Sequence, residues 1–158
     1  MTKEELYQKA INTWGIYSQT LVFHEEMAEV FEIIDGFTEG NITEELADAL
    51  IMVEQMAHNY KTPINPNLSC LGVMSGGSSD EIVCVHRGYL YVCIYMSHVE
   101  RKRAGLSLLG ISLENLYGWI LLYAHLVAKI STEELTKTKE QKLHRLASML
   151  GVKYDGTI

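Results

Sequence analysis

Cysteine is scarce in this sequence, and the few positions it occupies exclude two kinds of stabilising site. The three cysteines, Cys70, Cys84 and Cys93, form no CxxC motif and no mixed Cys/His ligand spacing. Neither a zinc site nor a disulfide framework is therefore indicated. An odd number of cysteines among apolar neighbours instead predicts reduced thiols in the core of a cytoplasmic protein.

Long uninterrupted apolar runs are also missing. The first ten residues, MTKEELYQKA, carry acidic side chains where a signal peptide has an apolar run. The longest apolar stretches are broken by Ser97, His98, Asn115 and Gly118, and each stays below the roughly 18 residues expected of a membrane span. We therefore expect neither a signal peptide nor a membrane partner.

Basic residues are outnumbered by acidic ones. The 158 residues include 13 Lys and Arg against 20 Asp and Glu, which gives a net charge of −7. Recognition of a nucleic-acid backbone normally needs a basic patch, so we expect no nucleic-acid partner. A nucleoside triphosphate can still bind an acidic protein if metal ions mediate the contact. The 47% hydrophobic content is typical of one soluble globular domain.

What the sequence does contain is a concentration of carboxylates in residues 24–55, HEEMAEVFEIIDGFTEGNITEELADALIMVEQ. Glu26 and Glu29 form one pair at helical spacing, and Glu45 and Asp48 form another. Residues three apart share a helix face, so two antiparallel helices would direct all four carboxylates to one point. Converging carboxylates repel one another, and a hard divalent cation removes that cost. The pattern predicts a Mg²⁺ site, with Mn²⁺ also possible, that leaves coordination positions open for substrate phosphates.

One such pair alone is usually a solvated helix face, but these pairs belong to a longer ordered pattern. Its parts are a Trp-Gly dipeptide, a glutamine, an EExxE segment, an ExxD segment and a second glutamine, at Trp14-Gly15, Gln19, Glu25 to Glu29, Glu45 to Asp48 and Gln55. In this order, residues 9–56 resemble the phage and bacterial MazG-like branch of the all-α nucleoside triphosphate pyrophosphohydrolases. The resemblance implies an all-α fold with a four-helix-bundle-like core and additional C-terminal helices.

The resemblance also implies Mg²⁺-dependent cleavage of a nucleoside triphosphate to a monophosphate and pyrophosphate, in the host cytoplasm if the protein is phage-encoded. Under it, four acids hold the metal: Glu26, Glu29, Glu45 and Asp48. Glu25 and Glu26 are the expected catalytic residues, with Glu25 as an outer-shell ligand or as the base that orients the attacking water. Neighbouring helical residues point about 100° apart, so Glu25 and Glu26 face different directions.

Six further residues are candidates for contact with the nucleotide: Lys142, Arg145, Arg101, Arg103, Trp14 and Gln19. Lys142 and Arg145 lie in KTKEQKLHRLASML, which resembles the KxxRL helix of MazG-like phage proteins; a solvated basic face is the alternative. Arg101 and Arg103 either clamp the triphosphate or complement the dipole at a helix end. Trp14 stacks on the base or belongs to the core.

Capping signals and glycines predict one all-α domain, 1–158. Its expected parts are helices with the metal site in 1–60, a loop in 61–80, a second helical hairpin in 81–130 and a terminal helix in 131–151. The hairpin is predicted as one helix from Glu81 to about Arg103 and another from Ser112 to about Ile130. The loop contains both prolines and a Gly-Gly-Ser-Ser run at 76–79 that lacks the lysine and spacing of a P-loop.

The second hairpin has two competing explanations. A shift of 69 positions aligns ITEE at 42–45 with ISLE at 111–114, so one hypothesis is a degenerate repeat of the first hairpin without its metal ligands. The other is an insertion of 61–130 between the ExxD helix and the terminal helix. The apolar character of 81–97 and 116–127 predicts a homo-oligomer, a dimer or a tetramer.

Two other functions compete with hydrolysis. The first is a non-catalytic protein of the same fold that binds a nucleotide or a protein partner. The second is a dinuclear iron or manganese carboxylate bundle, which is disfavoured because such bundles use Glu-x-x-His pairs and this chain has none at the acidic positions.

Overall fold

The computed structural model describes residues 1–65, 80–102 and 105–156. Within these ranges the protein is all-helical, which confirms the expected all-α class. The described helices are α1 Lys3–Trp14, α2 Ile16–Ile34, α3 Ile42–Asn59, α4 Glu81–Glu100, α5 Leu106–Leu122, which continues into a π-helical turn at Tyr123–Val127, and α6 Thr132–Met149.

Local capping interactions set the starts of most helices. The Thr2 hydroxyl accepts a hydrogen bond from the backbone N–H of Glu5, whose side chain in turn accepts from the N–H of Thr2, a complete capping box. Asn41 and Ser131 each accept from the backbone N–H three residues ahead. Gly15, with a φ of 86° that favours glycine, separates α1 from α2.

The fifth helix begins earlier than the sequence predicts. We expected Ser112 to cap it, but α5 begins at Leu106, directly after Gly105, whose φ is 102°. Ser112 is a buried position inside the helix, and Leu109 ahead of it is fully buried. Burial of Leu109 thus extends the helix by six residues beyond the predicted start. The preceding helix, α4, is also shorter than predicted and ends at Glu100.

The third helix is the centre of the fold. It packs against α1, α2, α5 and α6, and its Leu50, Val53 and Met56 are fully buried. α2 and α3 run antiparallel, because contacts pair the start of one with the end of the other. Gln19 bonds to Gln55, whereas Glu29 lies beside Glu45.

A buried carboxylate joins α3 to three other helices. Glu54 Oε1 accepts hydrogen bonds from Lys139 Nζ at 2.6 Å and from the Tyr117 hydroxyl at 2.7 Å. Its Oε2 accepts from the Tyr7 hydroxyl at 2.5 Å and lies 3.3 Å from Lys3 Nζ. Burial alone would raise the pKa of Glu54, but Lys139 and Lys3 outweigh burial and hold the pKa below its usual value. The network connects α1, α3, α5 and α6.

The helices α4 and α5 pack closely against each other, with Gly88 facing the backbone of Leu116. α4 contacts α2 through a stacked pair of rings, Phe31 and His86, whose centroids are 4.0 Å apart. The outer face of α4 exposes apolar side chains that include Leu90. The two explanations of this hairpin, repeat and insertion, stay predictions.

The helical stretch Leu106–Val127 has a mean hydropathy of 1.3, and 39% of its apolar window is buried. It is long and apolar enough to span a membrane by length and composition, although the core helices of soluble proteins meet the same criteria. We expected no such stretch because polar residues interrupt the apolar runs. These residues are too few to bring the mean hydropathy of the helix below the range of membrane-spanning helices.

Candidate metal centre and adjoining cleft

Three of the predicted metal ligands lie together in the structure. One carboxylate oxygen from each of Glu26, Glu29 and Glu45 lies within 4.8 Å of the others. Asp48, one turn further along α3, is close enough for its charge to raise the pKa of Glu26. The antiparallel packing of α2 and α3 therefore directs both acidic pairs to one place.

The position of the acids beside the core explains their partial burial. On α2, Glu26 and Glu29 directly precede Met27 and Val30, which are fully buried. The acids thus follow the edge of the apolar stripe, where α2 meets α3. Side chains at such an edge are half-withdrawn from water while their ends still reach the surface.

Burial and mutual repulsion raise the pKa of three carboxyl groups in the cluster. Burial, followed by the charges of Asp48, Glu29 and Glu45, raises the pKa of Glu26 to about 8. Burial, together with a hydrogen bond and repulsion from Glu29, raises the pKa of Glu45 to about 7. Burial also raises the pKa of Asp48, although Lys142 partly offsets it. A bound cation would reverse these shifts by favouring the ionised carboxylates.

One atom of the cluster has no protein partner. Glu26 Oε2 is buried and, among the described residues, receives no hydrogen bond. Buried polar atoms are normally paired, because an unpaired one loses its interaction with water without compensation. Carboxylate oxygens are the preferred ligands of hard divalent cations. The donor set and the unpartnered oxygen therefore fit Mg²⁺ or Mn²⁺, and the metal itself stays a prediction.

A cleft of about 420 Å³ opens next to the cluster. It lies between α1, α2, α3 and α6, and Glu26 and Asp48 form its acidic end. The other lining residues are apolar, amide, hydroxyl or cationic: Trp14, Ser18, Gln19, Val22, Ile51, Met52, Gln55, Lys142, Arg145, Leu146 and Met149. The cleft combines an acidic end, a basic wall and a mostly apolar interior, which matches the chemistry of a nucleotide with its metal.

The terminal helix supplies the basic wall. Lys142 Nζ forms an ion pair with Asp48 Oδ2, and only 14% of the lysine side chain is exposed. Arg145 lies nearly one turn further along α6 and lines the same cleft. The structure thus places Lys142 against an acid and brings three other predicted contacts, Arg145, Trp14 and Gln19, into the lining of the same cleft.

Other predicted site residues lie elsewhere. Arg101 follows the last residue of α4, next to Glu100, which accepts a hydrogen bond from the Tyr60 hydroxyl at the far end of α3. Asp48 and Tyr60 are twelve residues apart in α3 and its cap, about 18 Å along the axis. Arg101 thus follows a helix that ends far from the acids, and its contact with the triphosphate stays a prediction.

The two remaining expectations have different outcomes. Arg103 and the Gly-Gly-Ser-Ser run at 76–79 lie outside the described residues. Glu25 is exposed on α2 and is not part of the carboxylate cluster or of the cleft lining. Its catalytic role stays a prediction.

The sequence predicts four of the lining residues as nucleotide contacts, Trp14, Gln19, Lys142 and Arg145, but it assigns no role to Gln55 and does not predict the cleft that joins them. A usable signal existed, because Gln19 precedes Glu26 by seven residues and Gln55 follows Asp48 by seven. Two helical turns place such residues on nearly the same face, so both amides could be predicted on the acid-bearing faces, about 10 Å along the axis from the acids. No local pattern marks the apolar wall of α6, which depends on how that helix docks.

Comparisons with protein-family models, curated proteins and solved structures find no match to this chain. The resemblance to the MazG-like pyrophosphohydrolases therefore stays a prediction based on the motif residues.

Proposed function

We propose that this protein is a Mg²⁺-dependent nucleoside triphosphate pyrophosphohydrolase that cleaves its substrate to a nucleoside monophosphate and pyrophosphate. One observation carries the proposal: the buried, unpartnered carboxylate oxygen of Glu26 lies in an acidic cluster at the end of a cleft with a basic wall. An acidic site without a cation repels a triphosphate, and the same site with a cation attracts it.

In this proposal four side chains hold the cation: Glu26, Glu29, Glu45 and Asp48. Mg²⁺ bound there would neutralise the triphosphate and polarise the α-phosphorus towards attack by water. The protein's own contribution is positioning. α2 and α3 present the carboxylates from two rigid helices, and α6 closes the site from the opposite wall.

We propose Lys142 and Arg145 as the phosphate ligands of this site. Both line the cleft, and Lys142 already contacts the acidic end through Asp48. Arginine binds phosphate through a planar fork, whereas lysine acts as a point charge. We assign them to the phosphates that leave as pyrophosphate, where negative charge develops during cleavage.

The direct test is pyrophosphate release from a panel of ribo- and deoxynucleoside triphosphates with Mg²⁺, Mn²⁺ or EDTA. Wild type is compared with Glu29→Gln and Asp48→Asn, which remove charge but keep shape. Glu133→Gln, an exposed glutamate in the first turn of α6, is the matched control. We expect metal-dependent release that is lost in both site variants and retained in the control.

Two results would oppose the proposal. Release that persists in EDTA, or that is unchanged in Asp48→Asn, would separate activity from the acidic cluster. Metal-dependent binding of nucleotides without any release would favour the non-catalytic binding protein instead.

A further inference from the structure

A buried pair of amide side chains forms part of the cleft interior. Gln19 on α2 is 5% exposed and Gln55 on α3 is 1% exposed. Gln55 Nε2 donates a hydrogen bond to Gln19 Oε1, and both residues line the cleft. Burying a carboxamide is costly unless its polar groups are satisfied, so a purely structural role would favour apolar residues at both positions.

The pair leaves hydrogen-bonding groups unused. A glutamine carries two N–H donors and an oxygen that accepts two hydrogen bonds. Within the described ranges, the mutual bond is the one hydrogen bond found for either side chain. Neither amide is among the fully buried atoms that lack a partner. The free amino group of Gln19 and the free oxygen of Gln55 therefore keep slight exposure, and since both residues line the cleft, they offer it a donor beside an acceptor.

We propose that the Gln19–Gln55 pair recognises the hydrogen-bonding edge of the substrate's nucleobase. This inference rests on the proposed function and names the part of the site that contacts the base. Gln19 lies seven residues from Glu26 along α2, about 10 Å along the axis, so the sugar would lie between the amides and the metal site. Trp14 and Met52 line the same cleft and provide apolar contacts for the base faces.

The pair accepts more than one base because it can reverse. Rotating both carboxamides by 180° preserves their mutual hydrogen bond but exchanges the positions of the exposed donor and acceptor. One arrangement matches the amino group and ring nitrogen of adenine or cytosine, and the other matches the N–H and carbonyl of guanine or thymine. We therefore expect wild-type protein to use several bases, with differences in kcat/KM that depend on this pair.

The decisive variant is Gln55→Glu, assayed above about pH 8 so that the buried carboxyl is ionised, because a carboxylate only accepts hydrogen bonds. Gln19 then has to donate to Glu at position 55, which leaves two acceptors facing the base. Guanine alone among the common bases offers two adjacent donors, N1–H and the N2 amino group. We expect the ratio of kcat/KM for guanine over adenine nucleotides to rise at least about tenfold, equivalent to about 1.4 kcal/mol.

Two further variants complete the test. Gln55→Met keeps the length of the side chain but removes its polar groups, so KM should rise for every base and the differences between bases should shrink. Gln8→Glu makes the same chemical change on α1, where the side chain bonds to Asn12 outside this cleft, and should leave the base preference unchanged. If Gln55→Glu does not fold, Gln19→Glu makes the same prediction, since the pair is reciprocal.

The experiment separates failure of this inference from failure of the proposed function. Base preferences in Gln55→Glu and Gln55→Met that equal those of wild type, with hydrolysis intact, would overturn the role of the pair alone. If wild type hydrolyses no triphosphate, ligand-detected NMR with the nucleoside monophosphates and Mg²⁺ gives the same comparison without turnover. A guanine preference in Gln55→Glu would then support the pair, and identical binding of all bases to every variant would refute it.

Discussion

Lys142 on α6 forms an ion pair with Asp48 on α3, 94 residues earlier in the sequence. The ammonium group therefore supplies positive charge at the acidic cluster of the metal-free protein. If this cluster binds a divalent cation, Lys142 and the cation compete for Asp48, and the lysine becomes available to a phosphate once the cation is bound.

This competition predicts opposite effects of Lys142→Met on two ligands. Mg²⁺ should bind more tightly to the variant in the absence of nucleotide, because its competitor is gone, while KM for the triphosphate should rise by about tenfold from loss of a charged contact. Calorimetry with Mg²⁺ and steady-state kinetics measure the two effects. Lys137→Met, an exposed lysine on the same helix, is the control. A weaker affinity for Mg²⁺ in Lys142→Met would contradict the competition.

The raised carboxyl pKa values predict the pH dependence of stability. In the folded, metal-free protein the pKa of Glu26 is about 8 and that of Glu45 about 7, against an ordinary value of 4.5. At pH values between the ordinary pKa of 4.5 and these raised values, the folded state binds more protons than the unfolded state. The free energy of unfolding therefore falls as pH rises from about 5 to about 8. Thermal melting in EDTA across this range should show a decreasing Tm, and Glu26→Gln should flatten the decrease. A Tm that rises with pH in EDTA would show that the cluster does not carry these shifts.

The affinity for Mg²⁺ should change with pH in the opposite direction from the stability measured in EDTA. Because protons compete with the metal for the same carboxylates, Mg²⁺ affinity should increase over the same pH range. The stabilisation by Mg²⁺ should therefore be larger at about pH 8 than at about pH 6. Melting curves with a fixed Mg²⁺ concentration at both pH values test this, and a pH-independent shift in Tm would place Mg²⁺ outside the cluster.

The buried ion pair between Glu54 and Lys139 predicts a large loss of stability when one partner is removed. The side chains are only 10% and 14% exposed, so Lys139→Met leaves a carboxylate with less compensation and should lower the free energy of unfolding by about 3 kcal/mol. The double variant Glu54→Gln with Lys139→Met should recover part of this loss, since no buried carboxylate is left without Lys139, and Lys3, the other cation beside Glu54, is 34% exposed to water. Urea unfolding measures both, and a loss below about 1 kcal/mol would mean that water screens this pair.

The contact between α4 and α5 predicts opposite effects of two substitutions at Gly88. A Cβ atom there would lie 3.4 Å from Leu116, an ordinary contact, so Gly88→Ala should raise stability by up to about 1 kcal/mol through its better helix propensity. Gly88→Leu should instead force the helices apart and cost about 2 kcal/mol. Equal stability of the two variants would indicate that α4 and α5 are not in close contact.

Much of the fold was predictable because its signals are local. Thr2, Asn41 and Ser131 begin helices through hydrogen bonds within one turn, and such caps are visible in sequence. Ser112 has the same appearance but lies inside α5, because burial of Leu109 outweighs the local capping preference. Tertiary packing determines where such a helix begins, and local sequence patterns do not contain this information.

In the candidate site, too, some features follow from local sequence signals and others depend on tertiary packing. The convergence of Glu26 with Glu45 follows from helical spacing and a short connection between α2 and α3, both of which sequence contains. The direction in which α4 ends is not a local property, so a basic run near Arg101 gave no information about its distance from the acids. The wall formed by Leu146 likewise depends on how α6 docks against α3.

The separation of Lys142 from Asp48 along the chain also orders events on the ribosome. All four acids leave the exit tunnel well before Lys142, which lies 94 positions after Asp48 in the chain. At about 5 to 20 residues per second, synthesis of that interval lasts roughly 5 to 20 s. A nascent chain therefore acquires the four acids first and the basic wall of the cleft last, so the cleft is complete only when translation has passed α6.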